Sequence, residues 1–307
     1  MEDLTEQIGE IRDLINKPRK LHALISEGSI WFQLCSSMDV VEDAELAIDA
    51  YLSNNESDEK GEQYLRLYGV LQALFLQQDA VEHLSEALNI KNTKDDVLKE
   101  IRDTRNYSIG HPTKADYGKA FNFISRPTLN KHGFGLLTEK KSGESEYSDI
   151  NVLDLITKQR DIHKSFLAHV ILKLQEEEAR HKEQFRGEKL SDAFPSTLGY
   201  CFAKVNETIS GNMPKEFGAK HLEYIDERIK NFCDSLETRG LLTAYDSVTD
   251  TLNQINYTYS KLFKYFNNPD ISMLDERDAF IYLESLRTRV NEIIVIAKEL
   301  DEDYAME

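Results

Sequence analysis

Punctuation is scarce in this chain: six prolines and fourteen glycines serve 307 residues. Sandwiches and barrels need a turn every roughly 8–12 residues, so a chain with so few turn formers is read as long helices. Long apolar runs are missing too. Nothing approaches the roughly 20 apolar residues of a membrane-crossing helix, so no membrane partner is expected. Cys35, Cys201 and Cys233 are far apart and odd in number, and read as reduced packing residues, not as a disulfide frame or a metal site. The opening MEDLTEQIGEIRD is acidic and amphipathic, without the basic-then-apolar order of a signal peptide. A cytoplasmic protein is the expectation.

Positive charge is the other shortage. The formal net charge is −18, which opposes broad, non-specific contact with nucleic acid. The deficit is uneven, however. From Asn89 to Lys141 eleven Lys and Arg stand against six Asp and Glu, so this stretch carries +5 and the remainder −23.

What the chain does contain is helical periodicity. The spacing predicts helices over 2–17 and 19–37, divided at Lys17-Pro18, and a third over 39–54. NNESDEKG (54–61) reads as a surface loop, and 62–89 as one long helix with a buried stripe. The next helix is expected to start at Thr93 as N-cap, with Asp95 and Asp96 in its first turn, and to run to Ile109. There Gly110 suits a left-handed stop and Pro112 disfavours helix at His111. YGKAFNFIS (117–125) reads as a short helix, and HGFGLLTEKKSGESEYSDIN as a β-hairpin. Further helices fit from Val152 to beyond Leu174, then 214–238, 241–267 and 275–302. Asn268-Pro269-Asp270 reads as a turn, NYTYSKLFKYF as an apolar helix face, and the tail LDEDYAME as a frayed end. The fold class is all-α: an N-terminal helical bundle (1–130), a small β-hairpin connection (131–150) and a C-terminal bundle of long helices (151–307).

One stretch carries chemistry. In RNYSIGHP, Arg105 falls on the inward stripe of Leu98, Ile101 and Ile109, where a guanidinium must snorkel, pair with a carboxylate or face something polar. A guanidinium can grip a phosphate with two parallel N–H groups and stabilise its growing negative charge. An imidazole six residues on can move protons to or from a 2′-hydroxyl or a leaving oxygen near neutral pH. His163, His169 and His181, on one predicted helix, read as solvated or core histidines. No glycine-rich phosphate loop, nucleophile elbow or paired zinc ligands appear, so no metal and no cofactor is expected.

Arg105-Asn106, four residues, then His111 resembles the signature of the HEPN superfamily, all-helical domains that include metal-independent ribonucleases of toxin and antiviral-defence systems. The resemblance covers residues 1 to about 130. It implies an endoribonuclease acting on RNA as a homodimer, with two Arg/His pairs in one cleft. Arg105 would then hold the scissile phosphate, Asn106 support it, and His111 act as acid or base. Arg102, Lys114 and Lys119, from the basic stretch around this motif, would add substrate contacts. The alternative is a non-catalytic helical interaction or regulatory subunit of a defence or toxin–antitoxin complex. In it Arg105 pairs with a buried carboxylate, and the C-terminal helices hold a protein partner.

Overall fold

A computed structural model describes residues 3–53, 59–267 and 273–305. Among them are ten α-helices and one small three-stranded antiparallel sheet, so the chain is mostly all-α. No helix among the described residues is long and apolar enough to cross a membrane. Most of the loop expected at 54–61, and the turn expected at 268–270, lie outside the described residues.

The chain divides into two compact units. The first comprises 1–17 and 23–177, the second 18–22 and 178–307. The expected 130–150 division therefore falls inside the first unit. The reason is packing: Phe134 and Leu136 of the sheet share one core with Ile48, Leu71, Ile101, Val152 and Ile156.

In the first unit, α1 (Leu4–Ile15) opens with a capping box, the Asp3 side chain accepting from the Glu6 backbone and Glu6 from that of Asp3. Its Leu4, Ile8, Ile11 and Ile15 meet Leu34, Met38 and Val41 of α3 (Gly28–Ser53) and Val81 and Leu84 of α4 (Lys60–Ala87). Pro18 begins α2 (Pro18–Ser26), as expected after Lys17. The break expected at 37–39 is absent: the chain turns at Glu27, and α3 runs for 26 residues through Ser37 and Met38, both buried. Asp95, not Thr93, caps α5 (Asp96–Arg105); its Oδ1 accepts from the Val97 and Leu98 amides at 2.8 and 3.3 Å.

The stretch expected as a short helix at 117–125 contains strand β1 (Ala120–Ser125), paired antiparallel with β2 (Gly133–Lys140), which pairs in turn with β3 (Ser145–Asn151). Tyr117 and Gly118 have φ of 57° and 82°, which no helix tolerates in succession, and AFNFIS then alternates as a strand does. Within β2, Gly135 has no room for a side chain, because the Tyr147 ring lies across it from β3. The Asn151 side chain then accepts the Asp154 amide at 3.2 Å and starts α6 (Val152–Gln184).

A row of buried amides ties α5, α4, α6 and α3 together. Arg102 Nε donates to Gln78 Oε1 (3.2 Å), Gln78 Nε2 to Gln159 Oε1 (2.7 Å), Gln159 Nε2 to Gln77 Oε1 (2.9 Å), and Gln77 Nε2 to Glu45 Oε1 (2.6 Å). Gln77 and Gln159 are wholly inaccessible. A guanidinium only donates and a carboxylate only accepts, so the two ends fix the orientation of all three amides.

The second unit packs α7 (Leu198–Ile209), α8 (Lys215–Thr238), α9 (Asp246–Asn267) and α10 (Glu276–Ala305) around one core. The expected stripe on α10 is buried at Leu283, Leu286, Val290, Ile293, Ala297 and Leu300. Leu262 and Phe266 give α9 its apolar face. The tail does not fray through Ala305: the Tyr304 hydroxyl meets His181 Nε2 at 2.8 Å, and the Arg239 guanidinium stacks on both Tyr304 and Phe185.

Candidate functional site

Two arginines three residues apart on α5 close on a single ring of α4. The Cζ atoms of Arg102 and Arg105 lie 4.6 and 4.4 Å from the centre of the Phe75 ring. Gln72, Phe75 and Asp79 follow one another at three- and four-residue steps, so they share one face of α4. That face sorts the two guanidinia. Arg102 reaches Asp79 at 2.6 Å as well as Gln78, so a carboxylate offsets its charge. Arg105 meets only neutral groups. Its Nε and Nη2 both donate to Gln72 Oε1 (3.3 and 2.7 Å), and its Nη1 donates to Asn106 Oδ1 (3.0 Å).

Among the described residues no carboxylate pairs with Arg105. Of the five N–H groups of a guanidinium these contacts use three, so one remains on each terminal nitrogen. Cation–ring contacts of this kind contribute roughly 0.5–2 kcal/mol, the upper end where water is excluded. They hold a cation in place without cancelling its charge.

The backbone beyond Arg105 leads to the histidine. The helix does not end at Ile109 in a left-handed glycine. Instead it widens into a π-turn over Asn106–Gly110, closed by the His111 amide donating to the Asn106 carbonyl at 2.7 Å. Single π-turns in helices often mark functional positions. Gly110 is required for a different reason from the one its sequence position suggests. It is not among the residues of positive φ, but a Cβ there would stand 2.7 Å from Arg105 Nη1 and 3.3 Å from Asn106 Oδ1. The guanidinium therefore rests against Gly110, next to His111. Asn106 joins both: its side chain holds Arg105 and its carbonyl holds the backbone of His111.

His111 itself is exposed. Pro112 follows in a 3-10 turn (Pro112–Lys114), and Ala115 bridges to Ala120. Lys114 and Lys119 are exposed, the Lys114 stem lying against Gly118. Between them Tyr117 is fully exposed and held at positive φ. Gln72, Phe75 and Tyr117 are the residues that sequence reasoning missed. The first two lie thirty or more residues before Arg105, beyond any local pattern. Tyr117 could have been found, since Asp-Tyr-Gly is a turn signal followed by alternating residues.

Among the described residues no group of three or more His, Cys, Asp or Glu could hold a metal ion. No family model, curated protein or solved structure matches the chain significantly.

Proposed function

We propose that this protein is a metal-independent endoribonuclease, with Arg105, Asn106 and His111 at its centre. The observation that carries the reading is the set of partners of Arg105. A half-buried guanidinium held by two neutral amides and an aromatic ring keeps its full charge for an anion. A purely structural arginine at this depth is expected to carry a carboxylate, as Arg102 does. The RNA phosphodiester suits the two remaining N–H groups, one on each terminal nitrogen.

In the proposed reaction the 2′-oxygen attacks the adjacent phosphorus and loses its proton to an imidazole. The bond from phosphorus to the 5′-oxygen breaks, and that oxygen takes a proton from an imidazolium. The products are a 2′,3′-cyclic phosphate and a 5′-hydroxyl. One His111 per chain serves one of these transfers, so a homodimer supplies both. Arg105 stabilises the charge on the five-coordinate phosphorus. Tyr117 offers a ring on which an unpaired base can stack, and Lys114 and Lys119 give local positive charge within an otherwise acidic molecule. Arg102 supports the site without contacting substrate, since Asp79 and Gln78 already hold its guanidinium.

The test is cleavage of single-stranded RNA by purified protein in excess chelator, with the product ends identified. Wild type is expected to leave cyclic phosphates. His111→Ala and Arg105→Ala are expected to lose at least a hundredfold in rate, with His111→Ala melting as wild type does. Tyr117→Ala should raise KM more than it lowers kcat. Equal rates for wild type and His111→Ala overturn the proposal.

A further inference from the structure

A cavity of about 790 Å³ opens beside the N-terminal half of α5, against the end of α4 and the middle of α6. That volume is in the range of small-molecule sites, roughly 300–1,000 Å³. Neither Arg105 nor His111 lines it; Arg102, held by Asp79 and Gln78, forms one edge.

His163 makes the cavity unusual. The residue is part of the lining, only 1% of it is accessible, and its buried Nε2 has no hydrogen-bond partner. A buried polar atom without a partner costs roughly 1–3 kcal/mol, a cost that a ligand atom could remove. Burial pushes the imidazole down to about pKa 4, against an opposing pull from Asp95. At neutral pH the ring is therefore uncharged and offers either a lone pair or one N–H.

The neighbouring groups decide what a ligand must bring. Ser85 lines the cavity, and its hydroxyl hydrogen is committed to the Glu82 carbonyl at 2.7 Å, so its oxygen is left to accept. Asp95 also lines the cavity; one of its oxygens caps α5 and the other is left to accept. These groups all favour an N–H donor. An anionic head is disfavoured, because the imidazole carries no charge to meet it, Glu82, Glu86, Asp95 and Asp96 offset the four cations of the lining, and the one arginine among those, Arg102, is already held by Asp79 and Gln78. Ile90 and Leu98 supply apolar walls, while Lys91, Lys94 and Lys99 are exposed to water.

We propose that this cavity binds a small planar nitrogen heterocycle carrying an amino group, with its N–H directed at Nε2 of His163. The site is separate from the phosphodiester site, and either can fail without the other.

Full-length protein labelled with ¹⁵N-histidine is titrated with 2-aminopyrimidine, with pyrimidine and benzoate as controls. Saturable movement of the His163 ring resonances is expected with 2-aminopyrimidine, with Kd on the order of 1 mM for so small a probe, and weaker or no response to either control. Leu98→Trp fills the cavity from a partly exposed position, and should weaken binding at least tenfold without unfolding the chain. His163→Phe should abolish a thermal shift by the same probe; if that variant does not fold, Leu98→Trp decides. No saturable response, an equal response to pyrimidine, or binding unchanged in Leu98→Trp overturns the proposal.

Discussion

Arg105 is held by what surrounds it, and the tightest constraint is an atom that is missing. With no Cβ, Gly110 lets Nη1 lie against its backbone. Gly110→Ala is therefore expected to displace the guanidinium. RNA cleavage should fall more than tenfold, while the melting temperature drops by only a few degrees, because the displaced group is the end of a flexible side chain. Full activity in Gly110→Ala would contradict the placement. His163 gives a second prediction. Its folded pKa, about 4, lies below its ordinary value of 6.5. The unfolded chain thus binds the extra proton between these limits, and stability is complete above pH 6.5 and lost as pH falls towards 4. The loss is roughly 3 kcal/mol at the full shift. Urea unfolding at pH 7 and pH 4.5 should show a loss that His163→Leu diminishes. Arg105 was legible from sequence as a cation on an inward stripe, but its partners were not. The same arginine-to-histidine separation recurs at Arg126 and His132, where both residues are exposed and the arginine sits in a turn after β1. Spacing selects candidates; burial against neutral partners separates them.

At the scale of elements, the long helices were legible because each repeats a buried stripe over several turns. Short segments were not. AFNFIS has six residues, too few for periodicity to separate strand from helix, and its pairing with β2 is settled by residues 135–140. Thr93 lost the capping position to Asp95 because both residue types accept backbone N–H groups, and α5 starts where its first apolar residue, Val97, can reach the core. The amides between α4 and α6 were invisible, since glutamine in a helix usually faces water. They imply a large effect from one substitution. Gln159→Leu leaves Gln78 Nε2 without an acceptor, and Gln77 Oε1 and the Leu74 carbonyl without that donor. The expected loss is about 2–4 kcal/mol, read by urea unfolding. A loss under 0.5 kcal/mol would mean that the row contributes nothing.

For the whole molecule, the division into units was the least legible feature, because α6 is one uninterrupted pattern that belongs to both. A fragment of residues 1–130 lacks Phe134, Leu136, Val152, Ile156, Leu167, Val170 and Leu174 from its two apolar clusters. It is expected to give no cooperative melt by circular dichroism, whereas residues 1–177 should melt cooperatively. A sharp transition in the shorter fragment would refute that boundary. The amide row has a consequence of its own across the first unit. Exchanging Glu45 for glutamine replaces one heavy atom, but it puts a donor where the row demands an acceptor. Either Arg160, which meets Glu45 at 2.7 Å, now confronts an N–H, or every amide reverses and Arg102 does. The mismatch can migrate through four helices without ever being cancelled, so two distant positions, 45 and 102, share a single parity.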